Sequence, residues 1–215
     1  MIELLKKEKF IGLLRNVPIE KTEEVAWAMY KGGVRIFEVT YNPSKKDTVK
    51  TVEKQFEILK SSLNDDIGIC AGTVVFPELV TAAKKCGAKA IVSPNVNLDV
   101  IKLTKENKML SIPGAYTPSE IAYAYDAGAD IVKVFPVLPN DILYLKTVMS
   151  PLSHIPFITT GGVNPDTINS FLEAGALAVA AGASVVKPEL LKENDYKGIE
   201  YEAKRHIDAI KNAYY

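Results

Sequence analysis

From Phe10 onward one theme recurs eight times: a short apolar run, a loop, an amphipathic stretch of helical period that ends at a small residue, then another apolar run. That rhythm is the period of a β/α unit. The apolar runs fall at 10–15, 34–40, 67–73, 89–92, 109–112, 129–136, 156–160 and 177–181. Between them, Thr22–Lys31 reads as a helix stopped by Gly32-Gly33. The spacing predicts further helices from Ser44 as N-cap to about Leu59, from Pro77 to just before Gly87, over Leu98–Glu106, and over 141–149. Thr117-Pro118-Ser119-Glu120 has capping-box spacing for a helix ending near Gly128; Asn164-Pro165-Asp166 opens another, and the last spans about 201–213. Residues 1–9 form a short charged helix pattern. Eight units without a linker predict an α/β chain whose residues 1–215 make one domain, a small (β/α)8 barrel of the TIM type. An open doubly wound sheet is the alternative, weakened because no GxGxxG follows the first strand.

The sixth run, Ala129-Asp130-Ile131-Val132-Lys133-Val134-Phe135-Pro136, carries one ammonium inside a strand apolar on both faces. Alternation puts Ile131, Lys133 and Phe135 on one side and Val132 and Val134 on the other. Such a strand belongs to a parallel sheet covered by helices, where lysine loses hydration. Desolvation lowers its pKa and leaves a neutral amine able to form a Schiff base with a carbonyl carbon. The alternative is a lysine that snorkels to the strand end and pairs with a carboxylate.

In such barrels, active residues sit at the C-terminal ends of strands. Arg15, Glu38, Thr40, Thr73, Lys133 and Thr160-Gly161-Gly162 all fall there. Ile36, Glu38 and Thr40 share a face, so a carboxylate and an amine can converge in one mouth. Each has a plainer reading: Glu38 as a structural ion pair with Lys133 or Arg15, Thr73 as the start of a turn, Gly161-Gly162 as a tight turn. The two glycines also suit a phosphate cradle, because loops after the seventh and eighth strands commonly hold one.

Lys plus Arg and Asp plus Glu number 26 each, so the zero formal charge implies neither a nucleic-acid nor a membrane partner. Lys45, Lys46 and Lys50 are spaced like the solvated face of a helix. No run approaches membrane-spanning length. Cys70 and Cys86 fit a reducing cytoplasm, and with His154 and His206 the only histidines, no metal or other cofactor is expected.

Taken in order, Gly32-Gly33-Val34 through Glu38-Val39-Thr40, Ala71-Gly72-Thr73-Val74, Ser93-Pro94, Pro113-Gly114 with Thr117-Pro118-Ser119-Glu120, Lys133 through Phe135-Pro136, and Thr160-Gly161-Gly162 form an ordered set. In these pieces the chain resembles the bacterial class I aldolases that split 2-keto-3-deoxy-6-phosphogluconate (KDPG) or 4-hydroxy-2-oxoglutarate (KHG), releasing pyruvate. The resemblance implies that Lys133 forms the Schiff base, Glu38 shuttles protons through a water, Thr73 seats the pyruvyl carboxylate, and Pro94 and Phe135 line the pocket. It also implies a keto acid or phosphorylated keto sugar acid as substrate and a homotrimer. Two positions depart from the pattern. Asn42 stands where the family carries an arginine for anionic groups. The family's Gly-Ser pair after the eighth strand, whose serine contacts phosphate, appears as Gly182-Ala183 with Ser184 one residue later. Arg15 matches a basic position in many relatives and is, on the resemblance, the expected compensation for that lost charge. The rival readings are another phosphosugar barrel, such as an epimerase or a thiamine-phosphate-synthase-like enzyme, and a keto-acid-binding paralogue without catalysis.

Overall fold

The computed structural model describes residues 1–212. Nine parallel strands form one sheet: β1 (Phe10–Leu13), β2 (Ile36–Thr40), β3 (Gly68–Gly72), β4 (Ala90–Val92), β5 (Leu110–Ile112), β6 (Gly114–Ala115), β7 (Val132–Val134), β8 (Phe157–Thr160) and β9 (Ala178–Ala181). Their order is β5-β4-β3-β2-β1-β9-β8-β7-β6. The two ends of that order are consecutive in the chain, so the sheet closes on itself as the expected (β/α)8 barrel. Its fifth strand is broken in two at Pro113. Proline has no N–H to donate and interrupts a ladder. Residues before it pair with β4, as in Ala90 with Leu110, and residues after it pair with β7, as in Gly114 with Lys133. The Pro113 carbonyl still accepts from Lys133 N–H at 2.8 Å, which carries the seam across the break. A Cβ at Gly114 would overlap the Ser93 and Pro94 backbone, so the close approach of β4 requires glycine there. Lower on the seam, the Asp130 carboxylate accepts from Ser111 N–H at 2.8 Å and pairs with Lys105.

Strand alternation divides the core into two layers. Inside the barrel lie Ile11, Leu13, Ile36, Cys70, Val92, Ile112, Ile131 and Ile158, with alanines 90, 178 and 180 where space is short. Outside, Phe37, Val39, Val132, Val134, Phe157 and Val179 meet the helices. These helices are α2 (Thr22–Lys31), α3 (Thr48–Ser62), α4 (Pro77–Cys86), α5 (Leu98–Glu106), α6 (Pro118–Asp126), α7 (Ile142–Met149), α8 (Ile168–Glu173) and α10 (Tyr196–Asn212). An N-terminal helix α1 (Ile2–Glu8) inserts Leu5, fully buried, into the interior layer, with Met1, Ile2 and Leu4 packed beside it. It plugs the mouth opposite the C-terminal ends of the strands. None of the described helices is long and apolar enough to cross a membrane.

Thr117 caps α6 as its spacing predicts: its hydroxyl accepts from Glu120 N–H, and the Glu120 carboxylate accepts from Thr117 N–H at 2.8 Å. Other boundaries depart from expectation. Ser44 does not cap a helix; its N–H and hydroxyl both donate to Asn42 Oδ1, and α3 begins four residues later at Thr48. Lys45 and Lys46 consequently lie in the preceding loop and not on a helix face. Asn164 likewise forms a side-chain turn, its Oδ1 accepting from Asp166 and Thr167 N–H, and α8 starts only at Ile168. Asparagine and serine side chains that mimic backbone acceptors favour such turns over a helix start. An unanticipated short helix α9 (Pro188–Glu193) follows β9, and α10 begins at Tyr196, five residues before the expected start; Ala213 lies outside the described residues.

Because Leu5 is 0% exposed and fills the barrel floor, Leu5→Ala should cost about 2–5 kcal/mol of unfolding free energy. Urea denaturation checks this; a loss below about 1 kcal/mol would mean that α1 does not form part of the core.

Candidate active site

The side chains of Glu38 and Lys133 enter the barrel one inward-facing layer below its C-terminal mouth. Glu38 is 2% exposed and Lys133 6%. Each is the largest charge that the other feels, yet no ion pair joins them among the described residues. Desolvation dominates both. It raises the Glu38 pKa against the pull of Lys133 and Arg15, and it lowers the Lys133 pKa with help from Arg15 and against Glu38. Both groups are thus pushed toward their neutral forms. Glu38 Oε1 accepts from the Thr40 hydroxyl at 3.4 Å, while Oε2 is buried without a partner. The Lys133 ammonium lies 4.8 Å from the centroid of the Phe135 ring.

Backbone geometry makes room for the carboxyl. A Cβ at Gly72, across the ladder from Thr40, would overlap Glu38 Oε1. The next residue, Thr73, has φ 56°, a left-handed conformation that is strained for a β-branched side chain.

Two cavities open above this pair. The larger, about 790 Å3, brings together Arg15, Phe135, Thr160, Gly161, Gly162, Gly182 and Ser184. The smaller, about 260 Å3, is walled by Arg15, Thr40, Asn42 and Thr73, and Arg15 and Asn16 belong to both. Lys133 and Glu38 lie beneath these walls and not on them, with Phe135 and Thr40 in the layer between. Pro94 lines neither cavity; its main chain packs against Gly114. Arg15 is exposed and sits two residues beyond the end of β1, hence on the rim.

The larger cavity carries three cations, Arg15, Lys21 and Lys192, and no carboxylate. Sequence reading did not single out Lys21 or Lys192. The signal was present, since both lie in segments that follow β1 and β9, at the same barrel end as the other candidates. Lys21 Nζ donates to the Leu191 carbonyl at 2.7 Å, tying the first loop to α9. The N–H groups of Gly162, Ala183 and Ser184 have no protein acceptor among the described residues. Gly161 and Gly162 have φ 105° and 55°, and a Cβ on either would collide with Val137 or Pro139 of the neighbouring loop. The pair is therefore both a packing requirement and a source of free N–H groups. Asn42 Oδ1 is occupied by Ser44, so this amide organises its own loop.

A closed parallel barrel whose unusual polar groups gather at one end has the layout of a TIM-barrel enzyme. The chain belongs to the KDPG and KHG aldolase family, whose model matches residues 1–201. It is 25% identical over 213 residues to a 2-dehydro-3-deoxy-phosphogluconate aldolase of Haemophilus influenzae, covering 98% of this chain and 97% of that one. It is 28% identical over 182 residues to the 2-dehydro-3-deoxy-6-phosphogalactonate aldolase of Escherichia coli, covering 84% and 86%. The fold matches that of the KDPG aldolase of Legionella pneumophila with a TM-score of 0.79 at 22% identity, covering 94% of this chain and 96% of that one; pyruvate is captured there as a covalent carbinolamine.

Gly72→Ala should displace the Glu38 carboxyl and destabilise the protein by about 1–3 kcal/mol. Adding Glu38→Ala should recover most of that loss, because the clash is with the carboxyl itself. Urea denaturation of the single and double variants measures the coupling, and strictly additive costs would show that the two side chains do not compete for the same space.

Proposed function

We propose that this chain is a class I aldolase that cleaves a 2-keto-3-deoxy-6-phospho sugar acid, or 4-hydroxy-2-oxoglutarate, to pyruvate and an aldehyde. The observation that carries the reading is the desolvated Lys133 opposed to a desolvated Glu38 beneath a cationic cavity. Lysine in its neutral form adds through Nζ to the keto carbon, and the resulting carbinolamine takes a proton from the Glu38 carboxyl and loses water, giving a protonated imine and a Glu38 carboxylate. Glu38 then removes the proton of the 4-hydroxyl while the bond between carbons 3 and 4 breaks. Its electrons pass into the imine as an enamine. Glu38, acting through a water, returns a proton to the enamine methylene, and hydrolysis of the regenerated protonated imine frees pyruvate and neutral Lys133, with the released proton going back to Glu38. A carboxyl with a raised pKa suits both directions of transfer.

On this reading Thr73 and Arg15 hold the pyruvyl carboxylate, which their position on the wall of the smaller cavity supports. The larger cavity suits the far end of the substrate, where Arg15, Lys21, Lys192 and the free N–H groups favour an anion. The charge that Asn42 does not supply is thus available from other residues. The carbinolamine held by the Legionella relative supports a covalent route. For assembly, the exposed Phe76, Leu98, Leu138 and Leu143, which follow β3, β4 and β7, support a homotrimer built on this rim.

Borohydride added with pyruvate should attach one reduced pyruvyl group to Lys133, read by mass spectrometry of the digested protein. An unmodified lysine would end the class I reading; an adduct without turnover of either substrate would mark a keto-acid-binding protein. The rate of adduct formation should rise with pH through a midpoint below the ordinary lysine value of 10.5. Glu38 favours the ammonium, so Glu38→Gln should move that midpoint lower still while reducing kcat by about 10²–10⁴-fold. A midpoint that rises in Glu38→Gln would contradict the charge coupling.

A further inference from the structure

The buried His206 has no part in the reaction above, yet it touches the cavity through one hydroxyl. Its ring is 0% exposed and packs 5.7 Å from that of Phe10. Nδ1 lies 2.7 Å from the Glu202 carbonyl, an acceptor only, so Nδ1 carries a proton. Nε2 lies 3.0 Å from Ser184 Oγ, which is itself 2.7 Å from the Val163 carbonyl. With a neutral ring, one serine proton must serve two acceptors, Nε2 and the Val163 oxygen. The cluster is one proton short, and the hydroxyl has nothing left to donate into the cavity.

We infer that His206 is a positioning residue whose protonation frees the Ser184 hydroxyl to donate to an anion in the cavity, so that anion binding there takes up a proton. In the cationic state Nε2–H donates to Ser184 Oγ, and the serine proton turns from the Val163 carbonyl to the bound anion. The charges facing the ring set its resting state. Glu202 and Arg205 lie on its own helix, and Lys187 faces it from the segment before α9. Glu202 is held by Lys187 at 2.8 Å and by Arg205 at 3.2 Å, and it is thereby largely neutralised. Burial therefore prevails and lowers the His206 pKa, leaving the ring neutral until an anion arrives. The proposal rests on the anion-holding role of this cavity argued above, and it adds a pH-dependent gate on the distal group of the substrate.

Sulfate tests this, because unlike phosphate it does not titrate near neutrality. Calorimetry in buffers of unlike ionisation enthalpy should show uptake approaching one proton per sulfate, with affinity weakening about tenfold per pH unit above the His206 pKa. In His206→Gln, whose amide donates but does not titrate, both effects should vanish. Ser184→Ala, which keeps the histidine, should also abolish the uptake and decides the matter if His206→Gln does not fold. Proton uptake that persists in either variant, pH-independent binding by the unaltered protein, or no sulfate binding would overturn the relay. Pyruvate trapping at Lys133 is scored separately: its failure removes the aldolase reading, whereas its success beside a negative sulfate result removes only the relay.

Discussion

The arrangement at the C-terminal end of this barrel follows from placing an amine and a carboxyl together where water is scarce. Two opposite charges about 4 Å apart attract by about 4 kcal/mol at an effective dielectric near 20. Removing each from water costs several kcal/mol. The balance lies close to even for an ion pair and tips toward neutral partners as burial becomes complete. Lys133 and Glu38 are on that margin: burial outweighs attraction for both, and neither has a direct ionic contact among the described residues. A tight ion pair would lock the amine as an ammonium and remove it from chemistry. Distance without isolation is what the proposed chemistry needs, since it favours a neutral amine beside a carboxyl with a raised pKa.

The surrounding structure bears the cost of this arrangement. Glu38 Oε2 and Thr160 Oγ1 are buried without partners, Thr73 holds a left-handed backbone, and Gly72 gives up its side chain to the Glu38 carboxyl. Well-packed Ile11, Ile36, Ile131 and Ile158 and the Leu5 plug lie below, in the half of the interior where no such defect occurs among the described residues. Stability is concentrated toward the N-terminal ends of the strands and strain toward the C-terminal ends, the division expected of a barrel that carries a site at one mouth.

Periodicity made the barrel legible, because a run apolar on both faces and a helical stripe are each imposed by burial and survive local variation. The inward faces of Lys133 and Glu38 followed from strand alternation alone, and the α6 cap from one four-residue spacing. Where side chains compete for backbone groups, the sequence was ambiguous. Ser44 and Asn164 are good cap residues that here serve turns, and the choice depends on neighbours distant in sequence. The Pro113 break, the short α9 and the reach of Lys21 to Leu191 depend on how loops meet in space. Ser184 was recognised as a pocket residue, but its dependence on His206, 22 positions away, was not.

Arg15 and Asn16 stand on the shared wall of the two cavities, and this gives the site a direction. On the proposed reading, a substrate held at its keto carbon by Lys133 has a carboxylate one bond away and a second polar terminus several bonds away. The smaller cavity, at about 260 Å3, suits the near carboxylate; the larger, at about 790 Å3, suits the remainder of the chain. Arg15 touches both compartments, so on that reading it meets the near carboxylate that every candidate carries as well as the distal group. Lys21, Lys192 and Ser184 touch only the distal compartment. On the proposed reading, selectivity among phosphorylated and unphosphorylated chains would belong to the loops after β1 and β9, which can vary without disturbing the buried Lys133 and Glu38 pair.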